Sequence, residues 1–192
     1  MILTFQNHCF LKERNGIGKT TLLEILAKLR LGATGTIMIN DQFDLSILTE
    51  QTICSKILLF HQDDFLFTGS VYDNIINFNQ QCNYQILKLP EINQLLLQNY
   101  LSFEKMVYNN GENLSKGQRQ IILFLNLLLQ RCEVYFLDEV LSNVDYDSKI
   151  ILLKLLFQLK SSQLIVYAGH DQIVEQYFPT VIDLTKLNII NE

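Results

Sequence analysis

Glycine, lysine and threonine stand close together near the start of the chain, in the sequence GIGKTT at residues 16–21. Gly16 and Gly18 allow successive backbone N–H groups to turn towards one anion. Lys19 can then reach the outer phosphates of a nucleotide, and Thr20 can ligate Mg²⁺ at a helix start. A glycine-rich turn without a ligand is the alternative. The residues expected to bind the nucleotide are Asn15, Gly16, Ile17, Gly18, Lys19, Thr20 and Thr21.

Glu13 stands where the first glycine of such a loop is expected. A carboxylate about 8 Å from a phosphate charge, at an effective dielectric constant of about 20, would repel it by roughly 2 kcal/mol. The side chain also fills a place where glycine allows a tight turn. We therefore expect nucleotide binding to be weakened rather than abolished, and Glu13→Gly to strengthen it.

Two adjacent carboxylates follow an apolar run in the sequence VYFLDE, residues 134–139. A buried strand of this kind delivers both acids to the carboxyl edge of a parallel sheet, where ligands bind in α/β proteins. Asp138 would then hold Mg²⁺, and Glu139 would act as a general base towards water. The alternative is that the paired acids cap the next helix.

Short apolar segments alternate with longer helical patterns along the chain, which predicts a mainly parallel sheet with helices on both faces. The predicted strands lie in HCFLKE (8–13), GTIMIN (35–40), KILLF (56–60), EVYFLDE (133–139) and QLIVYAG (163–169). Between about Ser70 and Arg131 no strand is predicted, and Pro90 marks a helix start or a break. We expect one α/β domain over residues 1–192, with a core at about 1–61 and 131–192 and an inserted helical subdomain at about 70–130.

Composition excludes several classes of protein. The 192 residues carry a net charge of −5 with both signs interspersed, which argues against nucleic-acid binding. The four cysteines are scattered, so neither a zinc site nor a disulfide framework is expected. The richest apolar run, IILFLNLLLQ at 121–130, is too short for a membrane span and predicts a buried helix in a soluble chain.

Further motifs follow the phosphate loop in a fixed order: Gln62, LSKGQ (114–118), VYFLDE (134–139), SNVD (142–145) and YAGHD (167–171). In this order the chain resembles the nucleotide-binding domain of an ATP-binding cassette (ABC) transporter, over residues 13–171. The resemblance implies a P-loop NTPase (RecA-like) fold with a helical signature subdomain. It also implies ATP and Mg²⁺ as ligands and an Mg-dependent ATPase activity coupled to transport.

The resemblance assigns roles to individual residues. Glu139 would be the catalytic base, His170 the switch histidine that contacts the γ-phosphate, and Gln62 a contact to Mg²⁺ and the attacking water. Mg²⁺ would be held by Thr20, Gln62 and Asp138. The signature residues, which would bind a nucleotide held by a second cassette, are Ser115, Lys116, Gly117 and Gln118.

The same resemblance implies partners. A signature that serves the opposite subunit's ATP implies a head-to-tail dimer, either a homodimer or a heterodimer. Asp145 would couple the two sites, although it is equally well placed to cap the next helix. The segment FLFTGSVYDNI, residues 65–75, is similar to the exporter pattern, so we expect a transmembrane partner and a place at the cytoplasmic face of the membrane.

Three features depart from the family pattern. Few residues precede the phosphate loop, so the chain is expected to be truncated at its N-terminus and to lack an adenine-stacking aromatic. Asn109 stands where exporters often carry glutamate. Ile121 and Asn126 stand where arginines are usual, which suggests drift or a partner covering that helix.

These departures keep two alternatives open. One is a degenerate regulatory cassette with weak or no ATPase activity. The other, less favoured, is a soluble ABC ATPase acting on DNA or ribosomes. The sequence leaves open the transported substrate and the direction of transport.

Overall fold

The computed structural model describes residues 4–12, 18–31, 34–61, 64–77 and 83–186. The described residues group into two compact units. The first draws on residues 1–60, 132–139 and 162–192, and the second on residues 61–131 and 140–161. The division into a core and an inserted helical subdomain stays a prediction.

Strands and helices alternate along most of the described chain. The strands are β1 (Cys9–Lys12), β2 (Met38–Ile39), β3 (Phe43–Asp44), β4 (Ile57–His61), β5 (Gly69–Ser70), β6 (Met106–Val107), β7 (Val134–Asp138), β8 (Leu164–Gly169) and β9 (Thr180–Asp183). The α-helices are α1 (Lys19–Leu26), α2 (Glu50–Lys56), α3 (Val71–Ile76), α4 (Pro90–Gln98), α5 (Lys116–Leu129), α6 (Tyr146–Leu159) and α7 (Gln172–Glu175). Short 3₁₀ segments lie at Leu45–Ile47, Tyr84–Lys88, Asn109–Gly111 and Leu184–Lys186.

Five strands form the main sheet, in the order β4-β7-β8-β1-β9. The pairs β1–β8, β1–β9 and β7–β8 are parallel. In the register of the sheet Asp138 pairs with Ala168, so the carboxyl ends of β7 and β8 lie side by side. The predicted α/β fold with a mainly parallel sheet is confirmed.

The core of the first unit lies between this sheet and α1. Strands β7 and β8 are buried over most of their length, as their continuous apolar sequences predicted. The buried residues of this cluster are Cys9, Leu11, Leu23, Ala27, Phe136, Val166, Ala168 and Leu184. Packing of α1 on the strands therefore fixes the start of that helix relative to the end of β7.

The second unit contains the long buried helix that the sequence predicted. Every residue of α5 from Gln120 to Leu129 is buried. Helix α4 begins at Pro90, in the first turn where the missing N–H of proline has no cost. Among the described residues, no helix has both the length and the apolar character needed to cross a bilayer.

Several elements differ from the sequence-based expectation. Residues 70–131 were expected to lack strands, but β5 and β6 pair as a two-residue antiparallel ladder. Strand β9 was not predicted, and the helix that follows β8, α7, spans only four residues. Ladders of two residues carry too few side chains to produce a periodic pattern, which explains why β5 and β6 were missed.

Candidate functional site

Gly18 begins the helix that follows the predicted phosphate loop. It is the N-cap of α1 and adopts a left-handed backbone conformation with φ of 99°. Glycine accepts this conformation readily, and it has no side chain to cap the helix, so the N–H groups of the first turn can bind an anion. Five loop positions, Glu13, Arg14, Asn15, Gly16 and Ile17, lie outside the described residues, and what the sequence predicts of them stays a prediction.

Thr20 joins the first turn of α1 to the end of β7. Its Oγ1 donates a hydrogen bond of 2.6 Å to Oδ2 of Asp138, and the Asp138 side chain is buried. A hydroxyl and a carboxylate oxygen side by side are the donors that Mg²⁺ prefers, so these two residues fit the expected metal. The third expected ligand, Gln62, lies outside the described residues.

Within the described ranges, histidine, cysteine and acidic side chains nowhere form a group of three or more that could hold a metal ion.

Thr21 follows Thr20 in the same turn, and its Oγ1 accepts a hydrogen bond of 3.3 Å from Nη1 of Arg30.

Glu139 lies between Lys19 and His170, two side chains that the sequence singled out. Its Oε1 is 3.4 Å from Nζ of Lys19 and 3.3 Å from Nδ1 of His170. Only 8% of Lys19 is exposed, whereas the His170 side chain is 60% exposed. The structure therefore brings together Lys19, Thr20, Asp138, Glu139 and His170, although they are widely separated in sequence.

The backbone of Glu139 is held in a conformation that is rare for a residue with a side chain. Its φ is 53°, and such strain costs on the order of 1–3 kcal/mol. The N–H group of Glu139 donates a 3.0 Å hydrogen bond to the carbonyl oxygen of Ala168 in β8. This bond ties the sharp turn after β7 to the neighbouring strand.

Gly169 places His170 at the end of β8. A Cβ atom at position 169 would lie 2.8 Å from Cε1 of Tyr167, so no larger residue fits without movement. The Tyr167 ring is itself stacked on Phe10, with ring centroids 5.7 Å apart and planes at 8°. The buried aromatic pair therefore fixes the residue type beside His170, a contact that no sequence pattern indicated.

The signature residues begin α5 in the second unit. Ser115 is the N-cap, and its Oγ accepts a 3.1 Å hydrogen bond from the N–H of Gln118. Oε1 of Gln118 accepts a 2.9 Å bond from the N–H of Ser115, which completes a capping box. Ser115 and Lys116 are exposed, and no residue of the first turn is acidic. This helix start therefore offers an exposed hydroxyl and ammonium group.

Asp145 is the N-cap of α6. Its Oδ1 accepts a 3.0 Å hydrogen bond from the N–H of Ser148. Partial burial acts to raise the pKa of Asp145, but hydrogen bonds from Ser148 outweigh it, and the pKa lies below the ordinary value of 3.8. The helix cap that the sequence left open is therefore present, and the coupling role stays a prediction.

Ile121 and Asn126 correct one sequence-based interpretation. A partner covering their helix was one expectation, but both side chains are buried within the second unit of this chain. Nδ2 of Asn126 donates a 2.8 Å hydrogen bond to the carbonyl oxygen of Ile75, in the last turn of α3. Asn126 is therefore an internal cap for α3, and no partner is needed to cover it.

The sequence matches a known family over most of the site. The family model described as ABC transporter matches residues 8–142, which is more than half of the chain. A Rickettsia felis protein named as an export ATP-binding/permease protein is 29% identical over 161 residues, covering 82% of this chain and 28% of that protein. ABC transporter C family member 14 of Dictyostelium discoideum is 26% identical over 182 residues, covering 93% of this chain and 13% of that protein. The chain thus spans less than a third of the length of these relatives.

The fold is also similar to that of a known ABC exporter. A solved structure described as a bacterial Atm1-family ABC exporter with ATP bound superposes with a TM-score of 0.75 at 19% identity, covering 87% of this chain and 30% of that one. This likeness assigns the P-loop NTPase fold. Together with the family match, it shows that the chain belongs to the ABC transporter family and contains the nucleotide-binding domain of that family.

Proposed function

We propose that the chain binds and hydrolyses Mg-ATP and thereby powers export across a membrane. The observation that carries this proposal is the convergence of Lys19, Glu139 and His170 within hydrogen-bonding distance, beside the Thr20–Asp138 pair. A buried ammonium group is suited to bind phosphate, and a carboxylate beside it is suited to activate water.

Each side chain has a defined task in this reaction. Lys19 neutralises phosphate charge, and Glu139 accepts a proton from the attacking water. His170, which already touches Glu139, holds that carboxylate in place and can donate to a phosphate oxygen. Thr20 and Asp138 would hold Mg²⁺ together with Gln62, and the metal would stabilise the charge that develops on the transferred phosphate.

The signature residues and Asp145 support a dimer with a second cassette. We infer that Ser115, Lys116 and Gly117 face a nucleotide held by that cassette, because this helix start combines an exposed hydroxyl with an added positive charge at the positive end of the helix dipole. Gln118 belongs to the same segment. We further propose that the dimer binds a transmembrane partner at the cytoplasmic face of a membrane. Export, rather than import, is favoured by the segment at residues 65–75 and by the name of the Rickettsia felis relative.

Glu139→Gln tests the proposal directly. We expect ATP hydrolysis to fall at least about 100-fold, because a general base is lost, while ATP-dependent association of two chains persists. The matched control is Glu133→Gln, which removes an exposed carboxylate that pairs with Lys56 away from the site. Full ATPase activity in the Glu139→Gln protein would reject the assignment of the base.

A regulatory cassette without turnover is the second candidate function. Glu13 in the loop and Lys116 in the signature favour it, since both depart from the family pattern. Measured Mg-ATP binding without turnover in the purified chain would support this candidate. Glu13→Gly should then tighten Mg-ATP binding, and an unchanged affinity would show that Glu13 is not the cause.

A further inference from the structure

Gln120 is a buried residue that ties α5 to the segment before α6. Only 3% of it is exposed. Its Nε2 donates a 3.0 Å hydrogen bond to Oγ of Ser142, and its Oε1 accepts a 2.8 Å bond from the N–H of Asn143. Both ends of the Gln120 amide are therefore engaged by two consecutive residues that precede Asp145.

Gly117 permits the same segment to approach α5 closely. A Cβ atom at position 117 would lie 2.7 Å from the carbonyl oxygen of Asn143, a distance that side chains do not tolerate. The signature glycine therefore has a packing reason within this chain, separate from any ligand. The close approach at Gly117 and the Gln120 amide both involve Asn143, and Gln120 also binds Ser142.

Asn99 provides a second connection between the two segments. Its carbonyl oxygen accepts a 2.7 Å hydrogen bond from Nε2 of Gln118, and its Nδ2 donates a 2.7 Å bond to Oγ of Ser148. The N–H of Ser148 in turn donates to Oδ1 of Asp145. A continuous chain of hydrogen bonds therefore leads from the signature residue Gln118 to Asp145.

Both ends of the Gln118 side-chain amide make hydrogen bonds within this chain. Its Oε1 closes the capping box with Ser115, and its Nε2 binds the Asn99 carbonyl oxygen. Gln118 thus orients the helix start and leaves contact with a second cassette to its exposed neighbours.

We propose that Gln120 and Asn99 are positioning residues that hold residues 142–145 against the first turn of α5, so that both segments engage a second cassette as one preset surface. This inference rests on the dimer of the proposed function. Preset geometry removes the cost of ordering two separate segments at the moment of association. The same hydrogen bonds mean that a movement of the signature residues would also move Asp145.

The test is MgATP-dependent dimerisation, measured by analytical ultracentrifugation in the Glu139→Gln background so that ATP is not consumed. Gln120→Met keeps the side-chain length and removes both hydrogen bonds. We expect its dimerisation to weaken about tenfold, while MgATP binding by the single chain, measured by calorimetry, stays unchanged. A role in folding alone would lower the melting temperature without this selective loss.

Asn126→Leu is the matched control on the same helix. It removes a buried amide whose bonds lead to α3 and to Gln130 rather than to residues 142–145. Its melting temperature should fall by a similar amount, and its dimerisation should stay as in the parent. Equal dimerisation of Gln120→Met, Asn126→Leu and the parent would overturn the inference.

Ser142→Ala and Asn99→Ala keep the test decisive if Gln120→Met does not fold. Ser142 is exposed, and its substitution by alanine removes the hydrogen bonds that its Oγ accepts from Gln120 and Asn143. Each variant should weaken dimerisation severalfold, and parental dimerisation in both would refute the inference. Failure of the Glu139→Gln parent to dimerise at all would instead refute the proposed dimer, so the two failures are distinguishable.

Discussion

Oγ1 of Thr20 and Oδ2 of Asp138 lie 2.6 Å apart and join the first turn of α1 to the end of β7. The bond gives a buried carboxylate a polar partner, and it places the two expected Mg²⁺ ligands side by side. One contact therefore serves both the stability of the first unit and the chemistry of its site.

Thr20→Val should show what the Thr20 hydroxyl contributes to stability and to ATP hydrolysis, apart from the packing of the side chain. Valine keeps the shape of threonine but leaves Asp138 without this donor, so we expect a loss of about 1–3 kcal/mol in the free energy of unfolding. Mg-dependent ATP hydrolysis should fall at least about tenfold. Thr20→Ser retains the hydroxyl and should stay close to the parent in denaturant unfolding and in turnover. Equal losses in the valine and serine variants would contradict the role of the hydroxyl.

Gly169→Ala should disturb His170 through the Tyr167 ring. The added Cβ meets Cε1 of Tyr167 at 2.8 Å, and overpacking of this kind costs about 1–3 kcal/mol. We expect both a lower melting temperature and a lower kcat. The double variant Gly169→Ala with Tyr167→Leu removes the clash and should recover part of the kcat. No recovery would show that the ring does not transmit the effect.

Asp145→Ala should destabilise the chain in a pH-dependent way. Loss of this cap should cost about 1 kcal/mol at pH 7. Because the folded-state pKa of Asp145 lies below the ordinary value of 3.8, its charge stabilises the fold above that pH and the contribution is lost as the pH falls through the lowered pKa. The stability difference between the parent and Asp145→Ala should therefore shrink in acid. Asparagine at position 145 can still cap the helix but carries no charge. The free energy of unfolding of Asp145→Asn, measured with urea, should therefore vary less with pH than that of the parent.

Cys9 should be inert towards alkylation in the folded chain. Burial raises the pKa of its thiol to about 12, so almost no reactive thiolate forms near neutral pH. Cys54 is exposed and should react with iodoacetamide, whereas Cys9 should react only after unfolding. Mass spectrometry of native and denatured samples gives the measurement, and rapid native labelling of Cys9 would contradict its burial.

Much of the site could be predicted from sequence because its residues follow continuous apolar strands. Asp138, Glu139 and His170 each stand at the end of such a strand, and parallel pairing carries strand ends to one edge. The fold class followed from the same strands. The roles of the site residues still await the experiments above.

Other features depend on contacts between distant residues and had no local signal. Gln120 and Asn99 look like ordinary polar residues of helices until their partners at positions 142–148 are known. The capping role of Asn126 was not predicted, because only the packing of α5 against α3 brings its amide to the end of that helix. Strand β9 was missed because its four residues, TVID, are too few to show an alternating pattern.

The left-handed backbone of Glu139 means that the main chain and the side chain favour different residues at this position. Glycine would adopt this conformation without steric cost, but it would lose the contacts that the carboxylate makes with Lys19 and His170. Replacement by glycine therefore exchanges relief of backbone strain for the loss of two polar contacts.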